Sequence, residues 1–285
     1  MSFSILLADS GSTKTEWRLI RAGHPPLSVR TDGLNPYFQD EARLTQTIQD
    51  QLVPTLPTAI TAVSVFFYGA GCTSPATETR MATAIRAAIP GVATVSVASD
   101  LLGAARSVAG TQLGVVCILG TGANACFFDG QQIITPSRSL GFWLGDEGSG
   151  GNLGKRLVTA YLHGLLPPHL HQRFAQTHPD VDRLRVLDHA YNQPYPNRYF
   201  AGFAPFLSAH KDDPFVRPFV ETAFTDFLNL YVAPLRAPTN VPVHFVGSVA
   251  FIFSDWLTDL LIRHNWQPGL FSQAPMDGLA AYHSA

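Results

Sequence analysis

Two short stretches are rich in residues that hold anions: Asp9-Ser10-Gly11-Ser12-Thr13-Lys14-Thr15 and Gly120-Thr121-Gly122-Ala123-Asn124. The first follows the apolar run 3–8, the second the run 113–119, and each is followed by a further segment of β character. A strand that ends in small residues and turns back as a hairpin exposes backbone N–H groups with no Cβ in the way, a geometry that cradles phosphate oxygens. Two such turns can grip one polyphosphate from opposite sides. The chemistry they suggest is nucleotide-driven phosphoryl transfer.

The elements that must position these turns follow from the hydrophobic pattern. Residues 3–8, 16–20 and 27–31 are predicted as three short strands in an antiparallel meander, the first a buried apolar run. A helix over 41–52, with Leu44, Ile48 and Leu52 at helical spacing, leads to strand 62–68, helix 76–88 and strand 93–98. Asp100 follows that strand directly, and 101–108 is a small-residue helix. The order then restarts: strands 113–119, 125–128 and 132–135, with Asp129-Gly130 as a hairpin turn between the last two. From 149 to 235 the chain is mainly helical, broken at Pro167-Pro168, Pro194 to Pro196 and Pro214. Strand 243–246, the Gly247-Ser248 turn and one helix over 249–264 follow.

The 285 residues exceed the usual single-domain size, so two domains are expected. Apolar residues form 46% and charged ones 14%, which excludes a disordered chain. A formal net charge of −2 gives no general attraction to nucleic acid or anionic membrane, so an anionic ligand must be held by local dipoles and a few side chains. Cys72, Cys117 and Cys126 are too few for a disulfide framework and form no CxxC pair, which fits a reducing cytoplasm. No signal peptide is predicted at the start, and no run reaches the roughly 18–20 apolar residues of a membrane helix. The ten histidines have no metal spacing.

The duplicated βββαβα unit matches the ribonuclease H-like plan of sugar kinases, heat-shock ATPases and actin. DSGSTKTEW, ILGTGANA, WLGDEGSGGNLGK and FVGSVAFIF, in that order, resemble the BadF/BadG/BcrA/BcrD-type ATPase family, and within it the N-acetylglucosamine kinase-like branch. The resemblance runs from Asp9 to the closing Gly278-Leu279-Ala280-Ala281-Tyr282-His283. It implies an α/β fold of two ribonuclease H-like domains with a cleft between them and helical insertions in the second. The expected divisions are 1–108 and 109–275, with helix 276–285 a candidate to join the first domain. The CxCGxxGC zinc motif of the ROK sugar kinases is absent.

The resemblance gives the residues roles. Asp9, at the end of the first strand, would hold Mg²⁺ through water, and Gly11, Ser12, Thr13 and Lys14 would offer donors to the β- and γ-phosphates of ATP. Gly120, Thr121, Gly122 and Asn124 match the second phosphate loop, with Ala123 where many relatives have serine, so one hydroxyl donor is lost. Gly247 and Ser248 match the adenosine motif; alone, a strand-Gly-Ser-helix junction is a plain cap. Asp100 would be the catalytic base that takes the proton of the acceptor hydroxyl. By local sequence, Ser99-Asp100 is better explained as a helix N-cap, and only the resemblance reverses that preference. Asp146, beside Glu147, would touch the sugar or order Mg²⁺ and water, or simply complement a helix N-terminus. Trp143 would stack on a pyranose face or close the core.

Asn35, in Gly33-Leu34-Asn35-Pro36, resembles the sugar loop of N-acetylglucosamine kinases, its amide suited to ring hydroxyls or an acetamido group. Gly71 and Thr73 end the fourth strand on the same side as candidate sugar contacts. The activity implied is an ATP-dependent kinase acting on a hydroxyl of an amino sugar, foremost the 6-hydroxyl of N-acetylglucosamine. Two alternatives stand beside it: an ATPase activator of a dehydratase or reductase, which needs paired surface cysteines, and a non-catalytic sugar sensor. The partner expected is a small sugar, without nucleic acid or membrane, and a homodimer is the commonest assembly.

Overall fold

The computed structural model describes residues 4–11, 13–57, 63–238 and 240–284. The chain forms two compact units. The first comprises 1–112, 130–132 and 274–285, the second 113–129 and 133–273.

In the first unit β1 (Ser4–Ser10), β2 (Lys14–Arg21) and β3 (Leu27–Asp32) form the expected meander. After α1 (Glu41–Gln51), β4 (Val63–Gly69) joins β1 in parallel. After α2 (Pro75–Ala88), β5 (Val92–Ser99) joins β4 in parallel and leads without a loop into α3 (Asp100–Ala109). The sheet order is β3-β2-β1-β4-β5.

Local sequence accounts for these elements. Asp40 caps α1 by accepting from Arg43 N, while Leu44 and Ile48 are buried. Ser74 and Thr77 form a capping box ahead of α2, with Pro75 in its first turn, where no intrahelical N–H is needed. Leu6, Ala8, Trp17, Val65 and Phe67 point to the face covered by α1 and α2. Ile5, Leu7 and Tyr68, of opposite parity, point to the other.

The second unit repeats the plan. Strands β6 (Gly114–Leu119), β7 (Ala123–Phe128) and β8 (Ile133–Pro136) are an antiparallel meander, turned at Gly130 with φ +100°. Helices α4 (Gly141–Leu144), α5 (Gly150–Leu162), α6 (Pro168–Thr177), α7 (Arg183–Tyr191), α8 (Pro196–Ala201), α9 (Ala204–Ala209) and α10 (Val216–Phe227) follow. Then come β9 (Pro242–Val246), α11 (Ser248–Ile252), α12 (Ser254–Arg263) and β10 (Gln267–Ser272). The order β10-β9-β6-β7-β8 has the pairing directions of the first sheet, strand for strand. Finally α13 (Met276–Ser284) packs in the first unit, against α3, β1 and β2.

Two details depart from the sequence reading. The single helix expected over 249–264 is broken at Phe253, whose buried ring packs on Phe224 and Trp256 at centroid distances of 5.9 and 5.0 Å. Burying a large ring outweighs the continuity of one helical turn. Strand β10 was not expected, because Pro268 and Gly269 interrupt its pattern. It is an edge strand with an irregular register between Pro268 and Phe271, where a missing donor is tolerated.

Candidate active site

Register alone gathers one set of candidates. Ser10 lies opposite Gly69, and Gly69 opposite Ser99, so β1, β4 and β5 end in line. Two strand spacings of about 4.8 Å place the ends of β1 and β5 roughly 10 Å apart. Asp9 stands at one end and Asp100 at the other. Each carboxyl is partly buried. Burial, then the charge of Asp100, then that of Glu16 push Asp9 up to about 7, against a smaller opposing effect of Lys14. Burial also raises Asp100, opposed by the backbone N–H groups that bond its charged form. The same charge reaches Cys72, whose buried thiol is pushed up to about 12.

The local reading of Ser99-Asp100 as a helix N-cap holds, with the cap at Ser99. The N-cap of α3 is Ser99, whose Oγ accepts from Leu102 N at 3.2 Å. Asp100 is the first residue of the helix, and its Oδ1 accepts from Leu101 N at 2.8 Å. One oxygen is thereby fixed and the helix N-terminus favours the ionised form.

The first glycine turn is a tight hairpin: Gly11 N donates to Lys14 O at 3.1 Å, and Thr13 O accepts from Gly33 N at 3.2 Å. Thr13 and Lys14 are exposed; Ser12 lies outside the described residues. Beneath the turn, buried Ser10 and Thr15 share a hydroxyl contact of 2.7 Å. Both reach the chain after β3: Ser10 Oγ donates to Leu34 O at 2.9 Å, and Leu34 N lies 3.1 Å from Ser10 Oγ and 3.2 Å from Thr15 Oγ1. The phosphate turn and the Asn35 loop are thus tied together. Nothing in the sequence of Ser10 or Thr15 distinguishes this role from that of ordinary turn residues.

Asn35 and Gly71 also meet. Asn35 is 7% exposed, and its Oδ1 accepts from Tyr37 N at 3.0 Å. A Cβ on Gly71, whose φ is +83°, would overlap that oxygen. Thr73 is exposed at the start of the turn into α2.

The second unit brings together a different set. Gly120, Thr121, Gly150, Ser248 and Val249 line a cavity of about 140 Å³ with Ala201, Ala204, Pro205, Ser208, Ile252 and Phe253. It unites the second glycine turn with the Gly247-Ser248 motif. Its far wall comes from α8 and α9, whose small residues carry no motif and were missed. The turn is held from behind, since Gly150 N donates to Gly120 O at 2.8 Å and Gly151 N to Thr121 O at 3.1 Å. Among the described residues nothing accepts from Thr121 N or Gly122 N, the two donors a phosphate cradle requires. Gly247 has φ +125°, and a Cβ there would strike the Leu119 carbonyl, so the motif glycine permits the close approach of β9 to β6.

Asp146 is buried and sits in the left-handed region at φ 60°. Its Oδ1 accepts from Ala123 N at 3.1 Å, its own N–H donates to Tyr231 Oη at 2.7 Å, and a Cβ on Gly122 would lie 3.1 Å from its Oδ2. It therefore belongs to the glycine turn. Burial raises its carboxyl; the Ala123 bond lowers it and Glu147 raises it. Asn124 turns its Oδ1 to Ala125 N and Ser137 Oγ, both at 2.9 Å, and does not line the cavity. Trp143 does not close the core: it is 52% exposed and stacks on exposed Tyr191 at 6.3 Å.

Among the described residues no cluster of three metal-ligating side chains occurs. All three cysteines are free and buried. No helix of the described residues is long and apolar enough to cross a membrane.

Two sheets of one topology, each with a glycine turn closing its first strand, define the two-domain α/β fold of the sugar kinase and actin-like ATPase superfamily. The chain belongs to that superfamily. It is 38% identical, over 98% of both chains and with a TM-score of 0.91, to a Porphyromonas gingivalis structure provisionally named N-acetylglucosamine kinase. A similarly named structure from Chromobacterium violaceum is 20% identical over 98% of each chain, TM-score 0.76. A ROK-family glucokinase of Streptomyces griseus, solved with glucose and AMPPNP, shares the fold at 13% identity, TM-score 0.53, over 100% of this chain and 98% of its own. No family model and no curated protein matches the chain.

Proposed function

We propose that this protein is an ATP-dependent kinase that phosphorylates a hydroxyl of an amino sugar, the 6-hydroxyl of N-acetylglucosamine in the first instance, within the BadF/BadG/BcrA/BcrD-type ATPase family. The observation that carries the proposal is the convergence in the first unit of the Asp9 and Asp100 charges beside the Asn35–Gly71 pair. A buried carboxylate whose proton affinity is raised further by a second one is costly, and a cation or a proton-transfer role repays that cost. The names carried by the Porphyromonas and Chromobacterium structures support the sugar assignment.

The first unit receives the sugar. Asp100, with Oδ1 held by Leu101 N, has its other oxygen for the acceptor hydroxyl. As that hydroxyl oxygen bonds to the γ-phosphorus, its proton passes to Asp100 and the bond to the β–γ bridging oxygen breaks, releasing ADP. Burial raises the basicity of Asp100 toward working pH, as a general base requires. The second unit receives the nucleotide: the nucleoside in the largely apolar cavity walled by α8, α9 and α11, the phosphates on Thr121 N and Gly122 N. Asp9 fits Mg²⁺ by its donor chemistry: it is a carboxylate at the end of β1 whose proton affinity is raised first by burial and then by the nearby charges of Asp100 and Glu16, charges a cation would offset. Mg²⁺, when bound, would neutralise charge on the β- and γ-phosphates.

ADP release measured with N-acetylglucosamine, glucosamine, N-acetylmuramic acid and glucose tests the proposal. N-acetylglucosamine is expected to stimulate turnover, and Asp100→Ala to lower kcat about 10²–10⁴-fold while leaving ATP affinity intact. Absence of stimulation by every sugar overturns the kinase reading; a fully active Asp100→Ala enzyme removes Asp100 from the mechanism.

A further inference from the structure

Asn35 is a largely buried residue whose side-chain amide makes one of its four possible hydrogen bonds among the described residues. Oδ1 accepts from Tyr37 N at 3.0 Å, which assigns the orientation of the amide. The backbone around it is closed: Asn35 N donates to Gln39 Oε1 at 2.8 Å, and Asn35 O accepts from Phe38 N and Gln39 N at 3.1 and 3.0 Å. The next carbonyl, Pro36 O, is held by Arg80 Nη1. Nδ2 has no acceptor among the described residues and is not fully enclosed: although the residue as a whole is only 7% exposed, this end of the amide reaches solvent. An accessible, unpaired donor beside backbone groups that are already bonded is available to a ligand.

Gly71 determines whether that donor can exist in this place. With φ +83° it occupies backbone space that L side chains rarely adopt, and a Cβ would overlap Asn35 Oδ1, come within 2.9 Å of Asn35 Cγ and 3.1 Å of Tyr37 Cβ. The obstacle is the fixed end of a short side chain already bonded to Tyr37 N, so it cannot step aside without breaking that bond. Gly71 stands two residues beyond the end of β4 and Asn35 three beyond β3, so the contact joins two loops at one end of the sheet.

We propose that Gly71 is a positioning residue, not a sugar contact: its missing Cβ locks the Asn35 amide with Oδ1 inward and Nδ2 toward the substrate. The site then offers a donor only and selects a sugar that presents an acceptor oxygen there, a hydroxyl or acyl carbonyl, while disfavouring a protonated amine. This rests on the sugar-kinase reading above, and the experiment separates the two.

Steady-state kinetics with N-acetylglucosamine and ATP are measured for Gly71→Ala, Asn35→Ala, Asn35→Asp and the Gly71→Ala/Asn35→Ala double variant. Displacing the donor leaves a polar partner unpaired, worth about 10–100-fold in the KM for sugar, with the KM for ATP unchanged. Asn35→Asp keeps the acceptor for Tyr37 N but loses the donor, and is expected to match Gly71→Ala in sugar KM. In the double variant the added methyl no longer meets the Asn35 amide, although the backbone strain at φ +83° and the approach to Tyr37 Cβ at 3.1 Å remain, so its sugar KM is expected to stay with that of Asn35→Ala. Where Gly71→Ala folds poorly, the double variant is expected to melt higher, because it keeps the strain of φ +83° but loses the Asn35 clash, and such partial rescue supports the proposal. Wild-type sugar KM in Gly71→Ala, additive losses in the double variant, or a double variant no more stable than Gly71→Ala overturns it. A wild-type enzyme that phosphorylates no sugar defeats the underlying reading instead.

Discussion

Replacing Asp9 by Asn should stabilise the protein while abolishing its chemistry. Asp9 titrates at about 7 in the folded chain against an ordinary 3.8, chiefly because it is buried and faces Asp100 and Glu16. A carboxyl raised by folding binds its proton more tightly in the folded than in the unfolded state. Its favourable contribution is complete below about pH 4, declines as pH rises toward 7, and is gone above that. At about 1.4 kcal/mol per pKa unit the rise corresponds to about 4 kcal/mol at pH 8, and partial exposure reduces this to about 2 kcal/mol. Asparagine mimics the protonated form at every pH. Thermal melts of ligand-free protein at pH 8 should therefore show the first transition of Asp9→Asn raised by about 4–8 °C, with the difference vanishing near pH 4.5. Turnover should fall by at least about 10²-fold, and Mg²⁺ should no longer alter nucleotide affinity. The reasoning is refuted if Asp9→Asn melts no higher than wild type at pH 8, or if the gain is the same at both pH values. Such a trade of stability against function is usual where like charges are gathered for chemistry.

Two other expectations follow from the structure. Gly247→Ala places a methyl on the Leu119 carbonyl at φ +125°; it should cost about 1–3 kcal/mol and raise the KM for ATP but not for sugar, as read from melts and steady-state kinetics. His283 stacks on Phe66 at 3.9 Å and lies 2.8 Å from Tyr68 Oη, while Arg106 Nη1 donates to the same oxygen at 2.7 Å. Burial, then the Arg106 charge, depress it from 6.5 to about 4. Its contribution is present above pH 6.5 and lost as pH falls toward 4, so melts of His283→Phe should decline less steeply than wild type across that interval.

Much of the plan was legible beforehand because it rests on local chemistry. The alternation of apolar runs in 4–10 and 114–119 fixes which side chains face the core. The glycine turns fix where β1 and β6 reverse, and Ser74-Pro75 fixes where α2 begins. The same local rules misread 249–264 as one helix, because the ring of Phe253 finds Phe224 and Trp256 only in the folded unit, and they passed over β10, whose Pro268 and Gly269 are tolerated only at an edge. Asp100 shows the limit well: capping chemistry and catalytic placement use the same residue types, so no spacing rule separates them.

Sequence by itself set the duplicated strand order, the two anion-holding turns and the residue types available to them, since each depends on neighbours a few positions apart. Tertiary structure decided which of those residues share a site. It set Asp9 and Asp100 across three strand ends, seated Asn35 on Gly71, drew α8 and α9 over the second glycine turn and returned α13 to α3. These are contacts between residues far apart in the chain, settled by the packing of whole elements and invisible to any local pattern.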